Sequence, residues 1–365
     1  MTVNKRIRLP YRKLALSLTA AIATLAGLMG GGSWIWWQSA IAPLQPRQGQ
    51  TPSQTAADWL QVNVPEGASA EEIGRILHQA GLIRSVTAWK VWTRWQGWRQ
   101  AAGGFHAGTY RLSPQASLPD IAQTIWSGQV QQVSFTIKEG WSQKQMARYF
   151  EKLGWFSASD FLAATQRIPR DRYPWLPENI PFLEGYLFPE TYQISVDQRT
   201  PEAVITVMLD HFQKSALPVY EKRNGLAELS LQDWVTLASI VEKEAAVASE
   251  RPRIAGVFWN RLRQGITLGS DPTVEYGLGV TQTPDQPLTY AQVETPSPYN
   301  TYINAGLTPT PIASPGLASL KAVISPEKTD FLYFVARYDD THVFSRTLAE
   351  HERAHANIRD RQDAQ

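Results

Sequence analysis

The chain has 365 residues, enough for two or more domains with their own cores. Hydrophobic residues make up 43% and charged residues 19%, which excludes a disordered chain. A net charge of +2 offers no electrostatic reason to bind nucleic acid, and the absence of Cys excludes disulfide and thiolate chemistry while fitting an extracytoplasmic location.

Lys5, Arg6, Arg8, Arg12 and Lys13 precede an uncharged run of 24 residues, Leu14 to Trp37. That length can cross a bilayer, and Trp34, Trp36 and Trp37 cluster at its far end, where amphipathic rings prefer the interface. The basic flank puts the N-terminus in the cytoplasm. The alternative is a cleaved signal peptide, because Ala40-Ile41-Ala42 resembles a cleavage site. The run is longer than a usual signal core and Pro43 would follow the cut, so an uncleaved anchor is expected. Residues 1–40 then form a cytoplasmic tail and a single transmembrane helix, and everything beyond lies outside the cytoplasm. Residues 41–57 form a linker, polar and rich in Pro and Gly from Gln45 to Thr55.

Two stretches match at a constant offset. Val62 to Ser69 and Phe135 to Ser142 each read as a short alternating strand, a Glu-Gly turn and a Ser N-cap. A helix ending at Gly81 or Gly154 follows each. Between them the pattern predicts helices over Val86–Arg99 and Leu118–Ser127 and a strand over Gly108–Leu112. Strand–helix–helix–strand is the order of a LysM-type sugar-binding module, expected over residues 58–130, although small β–α units recur in many folds. The 14 Trp and 13 Tyr suit a core as well as sugar rings.

Residues 131–365 are expected to form a mixed α+β domain. It is organised around one helix from Ser230 to Ser249, opened by a Ser230/Asp233 cap. Trp234, Leu237, Ala238, Val241, Ala245 and Ala248 share a face, with Lys243 opposite. Glu242 falls roughly 100° from the centre of that face and Glu244 roughly 60°. Glu244 is therefore the carboxylate expected in a dry environment, where desolvation raises its pKa toward a general acid's range. A surface helix with an exposed Glu-Lys-Glu edge is the plain alternative. A helix ending at Gly265, a turn at 268–271, a hairpin of Phe331–Val335 with His342–Phe344, and a final polar helix opened by Glu350-His351 complete the reading.

The six His are dispersed, and no metal-binding, dinucleotide, phosphate-loop or nucleophile-elbow motif is present. His351 and His355 are spaced as metal ligands could be, but near a charged terminus. No metal and no cofactor is expected. What remains is a set of carboxylates beside polar, aromatic loops: Glu184, Glu190, Glu244 and Asp271, with Ser270 and Tyr299-Asn300-Thr301. Attack on a glycosidic bond needs such groups.

Glu-Gly-Tyr-Leu-Phe-Pro-Glu-Thr-Tyr at 184–192, Ala-Ser-Ile-Val-Glu-Lys-Glu at 238–244, Asn-Arg-Leu at 260–262, Ser-Asp-Pro-Thr-Val at 270–274 and Ser-Pro-Tyr-Asn-Thr-Tyr at 297–302 together resemble the YceG-like (MltG) family of endolytic lytic transglycosylases. The Leu-Tyr-Phe-Val strand at 332–335 adds to the likeness, which spans nearly the whole chain. The resemblance implies an α+β fold with a LysM-like subdomain and a YceG-like catalytic domain. It implies peptidoglycan glycan strands as substrate, cell-wall synthases as partners and Glu244 as the acid/base. Glu184, Glu190, Ser270, Asp271, Tyr299, Asn300 and Thr301 are the expected substrate-binding set. The loops at 308–316 and 339–342 depart from the family pattern, notably where a Gly before the hairpin His is replaced by Asp339-Asp340-Thr341. A non-catalytic, membrane-anchored glycan-binding scaffold is the competing reading.

The anchor is expected to persist in the mature protein. N-terminal sequencing of membrane-purified material should find no start at Pro43; finding one there would show a cleaved leader.

Overall fold

The computed structural model describes residues 32–44, 59–99, 104–223, 229–283, 286–337 and 339–363. The greater part of the expected anchor, 14–31, and most of the expected linker, 45–57, lie outside these. Among the described residues no helix is long and apolar enough to cross a membrane. The chain divides into two units, one running to Val133 and including Ser195–Asp197, the other containing Ser134–Ile194 and the residues from Gln198 onward.

In the first unit α1 (32–41) is followed by β1 (Leu60–Val64), α2 (Ala70–Gln79), α3 (Val86–Arg99), β2 (Gly108–Leu112) and α4 (Leu118–Trp126). β1 and β2 pair antiparallel, Leu60 opposite Leu112 and Val64 opposite Gly108. Alternation turns Val62 and Val64 inward, onto Ile73 and Leu77 of α2 and Trp89 of α3. Trp89 is fully buried; its indole N–H donates to the Ala70 carbonyl at 2.7 Å, which offsets the cost of hiding that polar group. Ala40 enters the same core, with Trp37 and Ile41 packed against it. The Arg84 guanidinium donates to the carbonyls of Pro43 and Leu44, tying the end of α1 down.

The second unit opens within β3 (Gln132–Thr136), which pairs with β4 (Thr191–Ser195). Between them lie α5 (Gln143–Lys152) and α6 (Ala158–Thr165). α7 (Pro201–Ser215), α8 (Leu217–Glu221), α9 (Leu231–Glu244), α10 (Arg251–Arg263), α11 (Asp271–Leu278), α12 (Tyr290–Val293) and α13 (Leu317–Ile324) follow. The hairpin of β5 (Tyr333–Ala336) and β6 (His342–Ser345) and the terminal α14 (Leu348–Asp363) complete it. The fold is thus mixed α+β, as expected.

The two matched stretches adopt the same local geometry. Gly67 and Gly140 turn at φ 73° and 75°, Ser69 and Ser142 cap the helices that follow, and Gly81 and Gly154 leave them at φ 69°. In the 339–342 loop that departs from the family pattern, Asp340 takes the left-handed conformation at φ 64°, a region Asp visits more readily than most residues other than Gly.

The central helix differs from its sequence reading in two respects. α9 ends at Glu244, and Ala245 is extended at φ −86°, ψ 95°, so Ala245 and Ala248 do not extend the face. Nor is there a single apolar stripe: every residue from Trp234 to Val241 is buried. The helix is wrapped by α10, α11 and α13, which hides faces that a two-sided wheel assigns to solvent. Two of its buried polar side chains are matched, Ser239 donating to the Thr236 carbonyl and accepting from the Ile312 N–H, and Trp234 donating to the Leu320 carbonyl, while the buried Thr236 hydroxyl has no partner among the described residues.

Gly185 sits at φ 85°, and a Cβ there would lie 2.5 Å from Pro311 Cβ and 2.8 Å from Val235 Cγ1. Gly67 has a similar φ but open space around it. Gly67→Ala should therefore cost about 1 kcal/mol, for the left-handed backbone alone. Gly185→Ala should cost about 3 kcal/mol or more, because overpacking adds to it. Urea unfolding of the two variants against the parent tests this order.

Candidate active site

Glu244 is the last residue of α9, and its half-buried side chain faces a cavity of about 760 Å³. Ser270 stands beside it as the N-cap residue of α11. An N-cap Ser ordinarily accepts from a backbone N–H of the first turn. Here no such bond forms, and the buried hydroxyl instead donates to Glu244 Oε1 at 2.5 Å. Burial pushes the Glu244 carboxyl from 4.5 up to about 7, the Ser270 bond opposes the rise, and Asp271 and Glu275 reinforce it. The carbonyl end of α9 also disfavours a negative charge at that position.

Glu242, two residues earlier, was expected to be the more exposed glutamate. Its side chain is only 5% exposed. What separates the pair is partners. Glu242 Oε1 accepts from Arg251 at 3.0 Å, and Oε2 accepts from Ser319 Oγ at 2.7 Å and from the Gly316 N–H at 3.0 Å. Glu242 thus serves as the N-terminal cap that Gly316 cannot provide for α13. Glu244 has Ser270 as its hydrogen-bond partner and is the one left for the cavity.

The other sequence candidates take different places. Asp271 lies on the cavity wall, and Tyr302 donates to its Oδ1 at 2.6 Å. Thr301 is buried behind the wall, its Oγ1 accepting from the Ser270 N–H at 3.0 Å and bonded to Thr273 Oγ1 at 2.8 Å. Asn300 is also buried and shapes the loop, donating to the Val293 and Thr295 carbonyls and accepting from the Tyr302 N–H. The Tyr299 ring lies tilted against Tyr276, and its hydroxyl shares a hydrogen bond with Thr310.

Glu184 is 1% exposed and away from the cavity wall, its oxygens accepting from the Gln143 N–H and from Tyr276. Burial outweighs those bonds and raises its carboxyl to about 8. Glu190 is exposed before β4, where it accepts from the Thr191 N–H.

Sequence reasoning passed over other wall residues: Arg261, Gln282, Tyr302, Tyr333, His342 and His351. Arg261, Tyr302 and Tyr333 fall inside the motifs quoted above, and His342 and His351 read in the sequence only as a hairpin residue and as one of a pair spaced like metal ligands. What local spacing does not show is that they share one cavity.

An α+β fold with one carboxyl held near neutral pKa on the wall of a polar cavity defines a protein equipped for general acid–base chemistry. The chain belongs to the YceG-like family, whose model matches residues 62–357. It is 33% identical over 90% of its length to an endolytic murein transglycosylase of Bacillus subtilis, covering 90% of that protein. A Streptococcus pneumoniae protein of the same name is 30% identical over 90% of this chain, which spans 64% of the pneumococcal length. A crystal structure of a yceG-like protein from Listeria monocytogenes superposes with a TM-score of 0.55 at 31% identity, covering 81% of this chain and 99% of that one.

Glu184 generates a stability prediction. Between 4.5 and about 8 the folded protein holds a proton there that the unfolded chain has released, so stability falls as pH rises through that window. Glu184→Gln removes the titration. The loss of urea resistance between about pH 5 and about pH 8 should be smaller in the variant by roughly 1 kcal/mol or more.

Proposed function

We propose that the protein is an endolytic lytic transglycosylase that cleaves the MurNAc–GlcNAc bond of peptidoglycan glycan strands and leaves a 1,6-anhydroMurNAc end. The observation that carries this reading is Glu244, a carboxyl raised to about 7 beside an open polar cavity. The endolytic murein transglycosylases that resemble the chain over 90% of its length support it. At neutral pH a substantial share of Glu244 is protonated and can protonate the glycosidic oxygen leaving the muramyl C1. The resulting carboxylate, steadied by the Ser270 hydroxyl, then takes the proton from the muramyl C6 hydroxyl. That oxygen closes on C1, so no water is consumed and one carboxyl serves both steps. Asp271 and Tyr302 are assigned to substrate positioning from the cavity wall.

The first unit, with its β1–α2–α3–β2 order and antiparallel pair, is assigned as a LysM-like glycan holder. The basic flank and apolar run before it assign the chain to the cytoplasmic membrane, single-pass, with its N-terminus inside and the catalytic unit outside. Cell-wall synthases, which supply nascent strands, are the expected partners.

Glu244→Gln keeps the size and removes the titrating proton, so it should lower the cleavage rate by about 10²–10⁴-fold with the fold intact. Glu242→Gln should instead lower stability, by up to about 3 kcal/mol, because Arg251 loses its nearer charged partner and keeps only Glu139 at 3.9 Å, with little change in rate per folded molecule. Mass spectrometry of the fragments is an independent check, since an anhydro end is one water lighter than a reducing end. Reducing ends as the main product would mean that a second carboxylate, Asp271 first, activates water.

A further inference from the structure

Arg261 carries the most demanding hydrogen-bond arrangement at the cavity. Its Nε donates to the Leu332 carbonyl at 2.6 Å, and its Nη1 donates to the carbonyls of Thr267 at 3.1 Å and Leu268 at 2.7 Å. The guanidinium lies over the Tyr333 ring at 4.9 Å. One side chain on α10 thus pins two separate segments, the entry to β5 and the turn before Ser270. Asn260, next to it, pins the stretch ahead of β5 through the Thr329 and Phe331 carbonyls. The turn then passes through Gly269 at φ 60°, where even a Cβ would come within 3.3 Å of Arg261 Nη1. The Gly269 and Ser270 N–H groups are both taken by Thr301, through its carbonyl and its hydroxyl. The next atom along this path is the Ser270 hydroxyl on Glu244.

We propose that Arg261 is a positioning residue that fixes the 267–269 turn and thereby aims the Ser270 hydroxyl at Glu244. The proposal rests on the reading of Glu244 as the acid/base for its consequence in catalysis, but not for its geometry. Two features set it apart from ordinary packing. Burial lowers the Arg261 pKa, so holding a guanidinium there has a desolvation cost. Moreover, its planar fork serves three carbonyls at once, which a Lys ammonium on a flexible stem cannot reproduce. Lys243, Asp271, Glu275 and Tyr302 also act on Glu244, and Arg337, Asp340, His342, His351 and His355 line the same cavity. A Lys at 261 leaves all of these and the local positive charge in place.

The test reads Glu244 directly. The full chain is labelled with δ-¹³C glutamate, and the Glu244 carboxyl resonance is assigned by its disappearance in Glu244→Gln. Ser270→Ala should raise the Glu244 titration midpoint by about half a unit to one unit, because the bond it removes favours the carboxylate. Arg261→Lys should raise it by a similar amount, and the double variant should go no further, since both act through one hydroxyl. An Arg261→Lys midpoint equal to the parent's, or a double variant that sums the two shifts, overturns the proposal. Should Arg261→Lys not fold, the wild-type chain still decides: a ¹⁵N-arginine-labelled sample should show slow solvent exchange at Arg261 Nε–H, and rapid exchange there means the staple is not formed. Glycan cleavage by the parent and by Glu244→Gln is measured separately, so an inactive parent would count against the proposed function and leave the titration result standing.

Discussion

A carboxyl at the end of a buried helix can stay protonated near neutral pH only if the surrounding protein withholds the partners that would ionise it. That constraint shapes the second unit. α9 is buried from Trp234 to Val241, so its final turn is delivered to the cavity wall by packing. Ser270 supplies one hydrogen bond, Asp271 and Glu275 add negative charge nearby, and the Glu244 carboxyl stays close to 7. A second strong donor would favour the carboxylate and remove the acid; complete exposure would return the group to its ordinary range.

Glu242 shows the opposite treatment of the same side chain two residues away. Its side chain is as little exposed as an apolar one, yet Arg251, Ser319 and the Gly316 N–H surround it, and it ties α9, α10 and α13 together. Burial alone does not sort the two glutamates; the hydrogen-bond partners do. Glu184 is a third case, buried with two donors and raised to about 8, and it joins the first residue of α5 to α11. A carboxyl in this protein can therefore be acid, cap or tie, according to what faces it.

The loops around the cavity follow a related logic. Threonines and Asn300 turn their polar atoms inward and satisfy backbone groups that have no ladder or helix to bond to. Side chains read as contacts for sugar hydroxyls thus hold the wall on which Asp271 and Glu244 stand. At the hairpin, Asp340 adopts a left-handed backbone that its short polar side chain tolerates.

The sequence by itself determined the elements whose causes are local. β1, β2 and β3, the Ser caps at 69 and 142, the Glu-Gly turns, the 3.6-residue pattern of α9 and the β5–β6 pairing follow from neighbours a few residues apart. By contrast β4, in a stretch that reads as helical or irregular, exists because β3 pairs with it. The prominence of Glu244 was legible too, through the helical wheel and the motif that contains it. Tertiary structure decided what depends on distant segments. The helical wheel cannot see that α10, α11 and α13 close over α9, so it misjudged Glu242 and ran the helix past Glu244. Nor does spacing reveal that Ser270, 26 residues on, turns its hydroxyl to Glu244 rather than capping its own helix, or that Arg261 reaches carbonyls at 267, 268 and 332. Hydrogen-bond partners are chosen by which segments the core brings together, and a local pattern carries no record of that choice.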